Sequence, residues 1–390
     1  MSAIPTPAGV ETAVSRRYSA GAIAVQPTLC CPVDYDPRLL AAIPQEVLER
    51  DYGCGDPSRY LVEGDTVLDL GCGAGKICFI ASQVVGEAGR IIGVDLNEDM
   101  LALARSAAPA VAQAIGHDNV EFCKARIQDL ALDLDALAGW LAEHPVSDMS
   151  TLAALEAEQQ RLRAEQPLIA SSSVDAVVSN CVLNLVATEH KAQLFNEIFR
   201  VLRRGGRAVI SDIVSAVEVP LPLRADPELW SGCISGAYQE EAFLEAFERA
   251  GFYGVHLVKR DAAPWRVVEG IEFRSVTVVA YKGKQGECRD HGQAVIYRGP
   301  FKAVLDDDEH ILTRGVPTAV CAKSFEMYAR EPYAQQFHLL EPAEAVDPAS
   351  APLFNSTTPA SLTASGPAPV VRQPVSGMAT TGCDPATSCC

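Results

Sequence analysis

The run "DTVLDLGCGAGKICF", residues 65–79, limits the possible folds more than any other stretch. A short apolar segment ending at Asp69-Leu70 gives way to Gly71-Cys72-Gly73-Ala74-Gly75 and then to residues that favour a helix. Strand, glycine-rich turn and helix start, in that order, belong to a βαβ unit whose turn brings backbone N–H groups up to a ligand. The rhythm recurs downstream. "GRIIGVDLNEDMLALARSAA" supplies a second strand, ending at Asp95-Leu96, and a helix opening at Asn97. "NVEFCKARIQDL" and "VDAVVSNCVLNL" read as a third and a fourth strand, and "LFNEIFRVLRRGGRAVISDIV" as a helix, a Gly-Gly turn and a fifth strand. Such alternation predicts an α/β fold: a Rossmann-like, mostly parallel sheet with helices on both faces.

Around this core the chain divides into four segments. Residues 1–36 are Pro/Ala-rich and are expected to be flexible; the α/β domain spans 37–261. Inside it, residues 132–173 carry strong helix formers at three- and four-residue apolar spacing, a helical insertion. Residues 262–340 alternate β-type segments ("EFRSVTVVAYKG", "QAVIYRG", "PTAVCAKS") with Gly and Pro, which predicts a small, mainly antiparallel C-terminal domain. Beyond 341 the periodicity is lost, and a disordered tail ending "CDPATSCC" is expected. Formal charge is −18, from 32 Lys+Arg against 50 Asp+Glu. That sign repels phosphate backbones and anionic lipid, so neither nucleic acid nor membrane is an expected partner. With no export signal in the N-terminal segment, a cytoplasmic location is expected.

The glycine-rich turn alone does not separate dinucleotide enzymes from other users of the fold. Here the G-x-G-x-x-G frame breaks at Lys76, while Asp69 precedes the turn and Asp95 ends the next strand, where a carboxylate can accept from both hydroxyls of a ribose. On these residues the chain resembles the class I S-adenosylmethionine-dependent methyltransferases. The resemblance implies S-adenosylmethionine as cofactor, with Asp69, Gly71, Cys72, Gly73, Gly75, Asp95, Leu96, Ile127, Gln128 and Asn180 as candidate contacts. Gln128 stands where an acid usually faces the adenine, and the neighbouring Asp129 is the alternative.

Oxygen and nitrogen acceptors usually need a general base. None of the seven histidines falls at a strand end, and His190 is expected to face solvent. Cysteines are what recur beside the site: Cys54 before the first strand, Cys78 after the glycine-rich turn, Cys181 after the fourth strand and Cys233 beyond the fifth. Converging thiolates suit a soft acceptor such as trivalent arsenic, whose lone pair attacks a methyl without loss of a proton. The motifs "DYGCG", "GKICFIASQVVGEAGRIIGVDL", "SNCVLNL", "VLRRGGRAVISDI" and "DPELWSGCISGAY", in this order, resemble the arsenite methyltransferases over about residues 50–260.

That resemblance implies arsenite, or its thiol conjugates, as substrate. It makes Cys54, Cys78, Cys181 and Cys233 catalytic, with Cys78, Cys181 and Cys233 as As(III) ligands and a transient Cys54–Cys78 disulfide reset by thioredoxin or glutathione. Cys30-Cys31 and the tail cysteines Cys383, Cys389 and Cys390 are further candidates for capturing arsenic. Two other readings remain open on residues alone: a methyltransferase of another thiol or small metabolite, and a thiol-rich metalloid-binding protein.

Overall fold

The computed structural model describes residues 6–26, 33–306 and 310–355. Two compact units are present, residues 1–286 and 287–390. In the first, strands β1 (Thr66–Leu70), β2 (Arg90–Asp95), β3 (Val120–Lys124), β4 (Val174–Asn180) and β5 (Leu202–Ser215) run parallel in the order β3-β2-β1-β4-β5. β4 is buried along almost its whole length, as expected of a strand covered on both faces. The two-residue β6 (Tyr238–Gln239) also pairs with β5.

The far edge departs from the expected division of the chain. β7 (Tyr253–Arg260) and β9 (Ile271–Tyr281), with the short β8 (Arg266–Val268) between them, complete the same sheet, and β9 runs antiparallel to β5 over nine residues from Arg207↔Tyr281 to Ser215↔Phe273. "EFRSVTVVAY" therefore belongs to the main sheet, and the second unit begins at Glu287 rather than near 262.

Helix α1 (Pro7–Ile23) is the other departure, since this stretch was expected to be flexible. Its start is specified locally: Thr6 caps it by accepting from Gly9 N, with Pro7 at the first helical position. Polar clips from distant loops fix the rest. Arg126 Nε donates to Glu11 Oε1 at 3.0 Å, Asn97 Nδ2 to Ser15 O and Ser19 Oγ at 3.0 Å each, and Arg17 Nη1 to Ser231 Oγ at 2.9 Å.

Helices α2 (Lys76–Val85) and α3 (Glu98–Ile115) follow β1 and β2. The insertion forms a pair, α4 (Leu134–Glu143) and α5 (Met149–Glu165), packed through Leu132, Leu137 and Leu162. Helices α6 (Lys191–Val201) and α7 (Glu240–Arg249) complete the unit. Two buried clusters fill it, one including Val67, Phe79, Ile91 and Val178 and the other Leu68, Val94, Phe195 and Val276.

The second unit holds a three-stranded antiparallel sheet, β13 (Pro317–Ala319), β10 (Ala294–Tyr297) and β14 (Phe337–Leu340), the hairpin β11 (Ala303–Leu305)–β12 (Ile311–Thr313), and helix α8 (Ala322–Tyr328). Its core contains Val295, Tyr297, Phe325, Tyr328 and Phe337. No helix among the described residues is long and apolar enough to cross a membrane. Cys30, Cys31, Cys383, Cys389 and Cys390 lie outside the described residues.

Candidate functional site

A cleft opens at the carboxyl ends of β1, β2 and β4, where open α/β sheets bind their ligands. Gly71 adopts φ +69°, and a Cβ there would stand 2.4 Å from Val182, so the turn needs glycine for both conformation and close approach. Asp95 fastens the turn: its Oδ2 accepts from Gly73 N and its Oδ1 from Asn97 N, each at 2.8 Å. Each oxygen keeps acceptor capacity toward the cleft. Burial raises the Asp95 pKa.

Of the candidate cofactor contacts, Gly71, Cys72, Gly73, Asp95, Leu96, Ile127, Gln128 and Asn180 line this cleft. Gln128 Nε2 also donates to Glu11 Oε1 at 3.3 Å. Asp129, the alternative to Gln128, is turned to the insertion, where Arg163 of α5 binds it at 2.8 Å. Gly75 caps α2 and packs against Phe122 instead of the cleft. His190 corrects the expectation of a solvent-facing residue, for it lines the cleft.

Asp69 is a second correction. It lies beneath the turn, 2% exposed, and accepts from Cys78 Sγ at 3.2 Å. Desolvation pushes its pKa up to about 7, against a smaller downward pull from the Cys78 S–H. A folded-state pKa above that of an unfolded aspartate contributes stability that is complete in acid and is lost as pH rises through about 4 to 7. Asp69→Asn is therefore expected to lose less Tm than the unsubstituted chain between about pH 5 and about pH 8. Equal losses in thermal melts would refute the linkage.

The thiols form two groups, and the grouping differs from the expected one. Cys54, Cys181 and Cys233 come together in one buried cluster with Ile213, Ile234 and Phe273. Cys233 Sγ donates to Cys181 O at 3.3 Å. Hydrogen bonding with the Cys233 and Cys54 thiols, then burial, raises the Cys181 pKa, and burial raises that of Cys54. Cys181 also lines the cleft and so joins the cofactor side to the thiol side. Cys78 stands apart. It is fully buried in the other cluster, beside Asp69 and Cys72, and is neither a third sulfur for Cys181 and Cys233 nor a neighbour of Cys54. The reason is helical geometry: the first turn of α2 directs Cys78 toward β2, where Gly93 leaves room for its sulfur.

Both loop cysteines hold left-handed backbone, φ +67° at Cys181 and +60° at Cys233. Few residues other than glycine adopt it, at about 1–3 kcal/mol each, and such strain gathers at functional sites. A buried network joins the two loops. Asn184 Nδ2 donates to Asp212 Oδ1 at 2.8 Å and Ile213 O at 2.6 Å, while Lys191 Nζ donates to Gly236 O and lies 4.3 Å over the Tyr238 ring. Burial pushes Asp212 up to about 6 and Lys191 down to about 8. A Cβ on Gly236 would stand 2.0 Å from Asn184 O, so the loops meet backbone to backbone.

Asn180, expected at the cofactor, secures the Cys54 turn. Its Oδ1 accepts from Cys54 N at 2.8 Å and Gly55 N at 2.9 Å, and its Nδ2 donates to Gly55 O at 2.8 Å. Ser275 Oγ of β9 donates to Cys54 O at 2.7 Å and Tyr35 OH to Gly55 O at 3.0 Å. A Cβ on Gly53 would stand 2.0 Å from Asn180 Nδ2.

Sequence reasoning missed Ser275, Tyr35 and Tyr18. Tyr18, on α1, lines the cleft; burial, then the neighbouring Cys233, raises its pKa. Only the Thr6-Pro7 helix start could have hinted at it. Trp230 is core, 1% exposed against Val10 and Ala187, whereas Tyr52 lines the cleft.

No group of three or more His, Cys, Asp or Glu among the described residues is already drawn together to hold a metal ion.

Comparison with known proteins identifies the family. A family model described as "Methyltransferase domain" matches residues 61–138 and 142–251, and one described as a domain of unknown function matches 284–365. The arsenite methyltransferase of Aquipseudomonas alcaligenes is 31% identical over 327 residues, 80% of this chain and 84% of that protein. The arsenite methyltransferase of Mus musculus is 28% identical over 322 residues, 80% of this chain and 76% of its own. Among solved structures, the arsenic(III) S-adenosylmethionine methyltransferase of Chlamydomonas reinhardtii matches with TM-score 0.53 and 26% identity, covering 85% of this chain and 100% of that one. With an α/β sheet of this order and a relative this similar over most of both lengths, the chain belongs to the arsenite methyltransferase family of class I methyltransferases.

Proposed function

We propose that this enzyme, an S-adenosylmethionine-dependent arsenite methyltransferase, holds As(III) between Cys54, Cys181 and Cys233 beside the cofactor cleft, with arsenite or a thiol conjugate as substrate and methylated arsenicals as detoxification products. The observation carrying this reading is the convergence of three buried thiols with Cys181 shared by cleft and cluster. Raised thiol pKa values are no obstacle. Exchange of three hydroxides for three thiols, As(OH)₃ + 3 RSH → As(SR)₃ + 3 H₂O, creates no net charge in the apolar cluster. The cleft fits the cofactor in donor set: Asp95 and Leu96 for the ribose, Ile127 and Gln128 for the adenine, the Gly71–Gly73 turn for the methionyl end. When bound, S-adenosylmethionine supplies an electrophilic methyl for the arsenic lone pair.

The chain's own residues orient and exclude water. Asn180 and Ser275 hold the Cys54 turn, the Asn184–Asp212 and Lys191–Gly236 bonds hold the other two loops, and α1 covers the cleft with Glu11, Ser15 and Tyr18. No side chain has a proton to remove from arsenic. Methylation takes arsenic to the pentavalent state, so two electrons must follow. The proposed source is glutathione or thioredoxin, which is oxidised to a disulfide; a transient Cys54–Cys78 disulfide in this role would require the Cys54 segment to move, since the two thiols pack in different clusters. Binding of arsenic by free thiols calls for a reducing compartment, so a cytoplasmic location is proposed.

Incubation of the purified chain with S-adenosylmethionine, glutathione and arsenite, followed by chromatographic separation of arsenic species, tests the activity. Methyl- and dimethyl-arsenicals are expected. Unchanged arsenite, under conditions where the cofactor binds, would overturn the reading.

A further inference from the structure

We infer that Glu11, on helix α1, supplies the carboxylate that accepts from the adenine amino group of the cofactor, a place that no acid at the end of β3 fills. The inference rests on the reading that Ile127 and Gln128 flank the adenine, and not on where arsenic binds. Residues 126–129 form a tight turn after β3, closed by Asp129 N donating to Arg126 O at 2.9 Å. This turn sends its side chains two ways. Asp129 leaves the cleft for Arg163 of α5 at 2.8 Å, so the acid nearest in sequence is already paired elsewhere. Arg126 and Gln128 both bond Glu11 instead. Arg126 meets both carboxylate oxygens, Nε to Oε1 at 3.0 Å and Nη2 to Oε2 at 3.1 Å, and Gln128 Nε2 donates to Oε1 at 3.3 Å. The flat guanidinium fork fixes the plane of the carboxylate.

Helix α1 is placed to deliver this group. Glu11, Ser15 and Tyr18 recur at four- and three-residue spacing along one helical face, and all three line the cleft, as Arg126 and Gln128 do. Three donor hydrogens meet about four lone-pair sites on the Glu11 carboxylate, which leaves room for one more N–H. Gln128 Nε2 keeps a second hydrogen of its own. Adenine carries an N6 donor beside an N1 acceptor. Glu11 and Gln128, bonded to each other, offer an acceptor beside a donor, the complementary pair. Hypoxanthine, the 6-oxo base, reverses the order, with O6 accepting and N1–H donating, and so sets an oxygen against the carboxylate.

The test compares S-adenosylhomocysteine with its 6-oxo analogue, S-inosylhomocysteine, by titration calorimetry on the full chain without arsenite, so that the thiol site plays no part. The unsubstituted chain is expected to prefer the adenine ligand at least about thirtyfold. In Glu11→Gln, whose amide can present either group, affinity for S-adenosylhomocysteine is expected to fall about tenfold and the preference to shrink to within about threefold. Adding Gln128→Glu to that variant exchanges the two groups and is expected to restore a preference above about tenfold. Equal weakening of both ligands, the mark of a helix that needs only its clip to Arg126, would overturn the inference. So would a preference that Glu11→Gln leaves intact or that the exchange does not restore. An unsubstituted chain that binds neither ligand would instead overturn the cofactor reading itself, and this inference with it.

Discussion

Cys181→Ser is expected to abolish arsenic methylation, by at least about a thousandfold or 4 kcal/mol, while cofactor affinity changes by no more than about twofold. The argument is one of donor chemistry. Serine nearly matches cysteine in shape and keeps a hydrogen-bonding group between Cys54 and Cys233, so the buried cluster stays filled. It replaces a soft sulfur by a hard oxygen, which binds trivalent arsenic weakly. Because Cys181 is the member of the cluster that also lines the cofactor cleft, its loss removes the sulfur nearest the methyl donor. Its left-handed φ is unaffected by the exchange, so stability should hardly move. Turnover within tenfold of the unsubstituted enzyme would contradict the assignment, as would parallel loss of cofactor binding measured by calorimetry.

Asn180→Ala is the second large effect. The alanine leaves Cys54 N and Gly55 N without the oxygen that accepts from both, and leaves Gly55 O with Tyr35 OH as its one remaining side-chain donor. Unsatisfied buried groups cost about 1–3 kcal/mol each, and the turn can avoid that only by moving, which carries Cys54 out of the cluster. Methylation is expected to fall about 10- to 100-fold, with cofactor affinity changed less than threefold. The opposite pattern, weakened cofactor binding with undiminished arsenite affinity, would restore Asn180 to a role at the cofactor.

How far the sequence reveals these roles depends on whether they are local. The glycine-rich turn, Asp95 after β2 and Cys181 after β4 follow from strand-end chemistry, and the sheet order agrees with it. Cys78 misleads because its nearness to the cofactor turn in sequence says nothing about which face of α2 it takes. One helical turn is enough to aim it at Gly93 and Asp69. Asn180 lines the cleft, as its place at a strand end suggests, but its hold on the Cys54 turn is not legible, since a strand-end amide suits a ligand and a neighbouring turn equally well.

Helix α1 has no apolar stripe, and its hold on the fold comes from Arg126, Asn97 and Ser231, more than 70 residues away. β9 shows an ordinary strand pattern, but no pattern states its partner. Pairing with β5 carries Ser275 under Cys54, 221 residues distant.

The most direct measurement is a crystal structure of the enzyme with arsenite and cofactor bound. Arsenic bonded to the sulfurs of Cys54, Cys181 and Cys233, with its open side toward the cleft, is the predicted result. Arsenic that touches none of these three, or that is held by Cys78 with Cys181 and Cys233, would contradict the account.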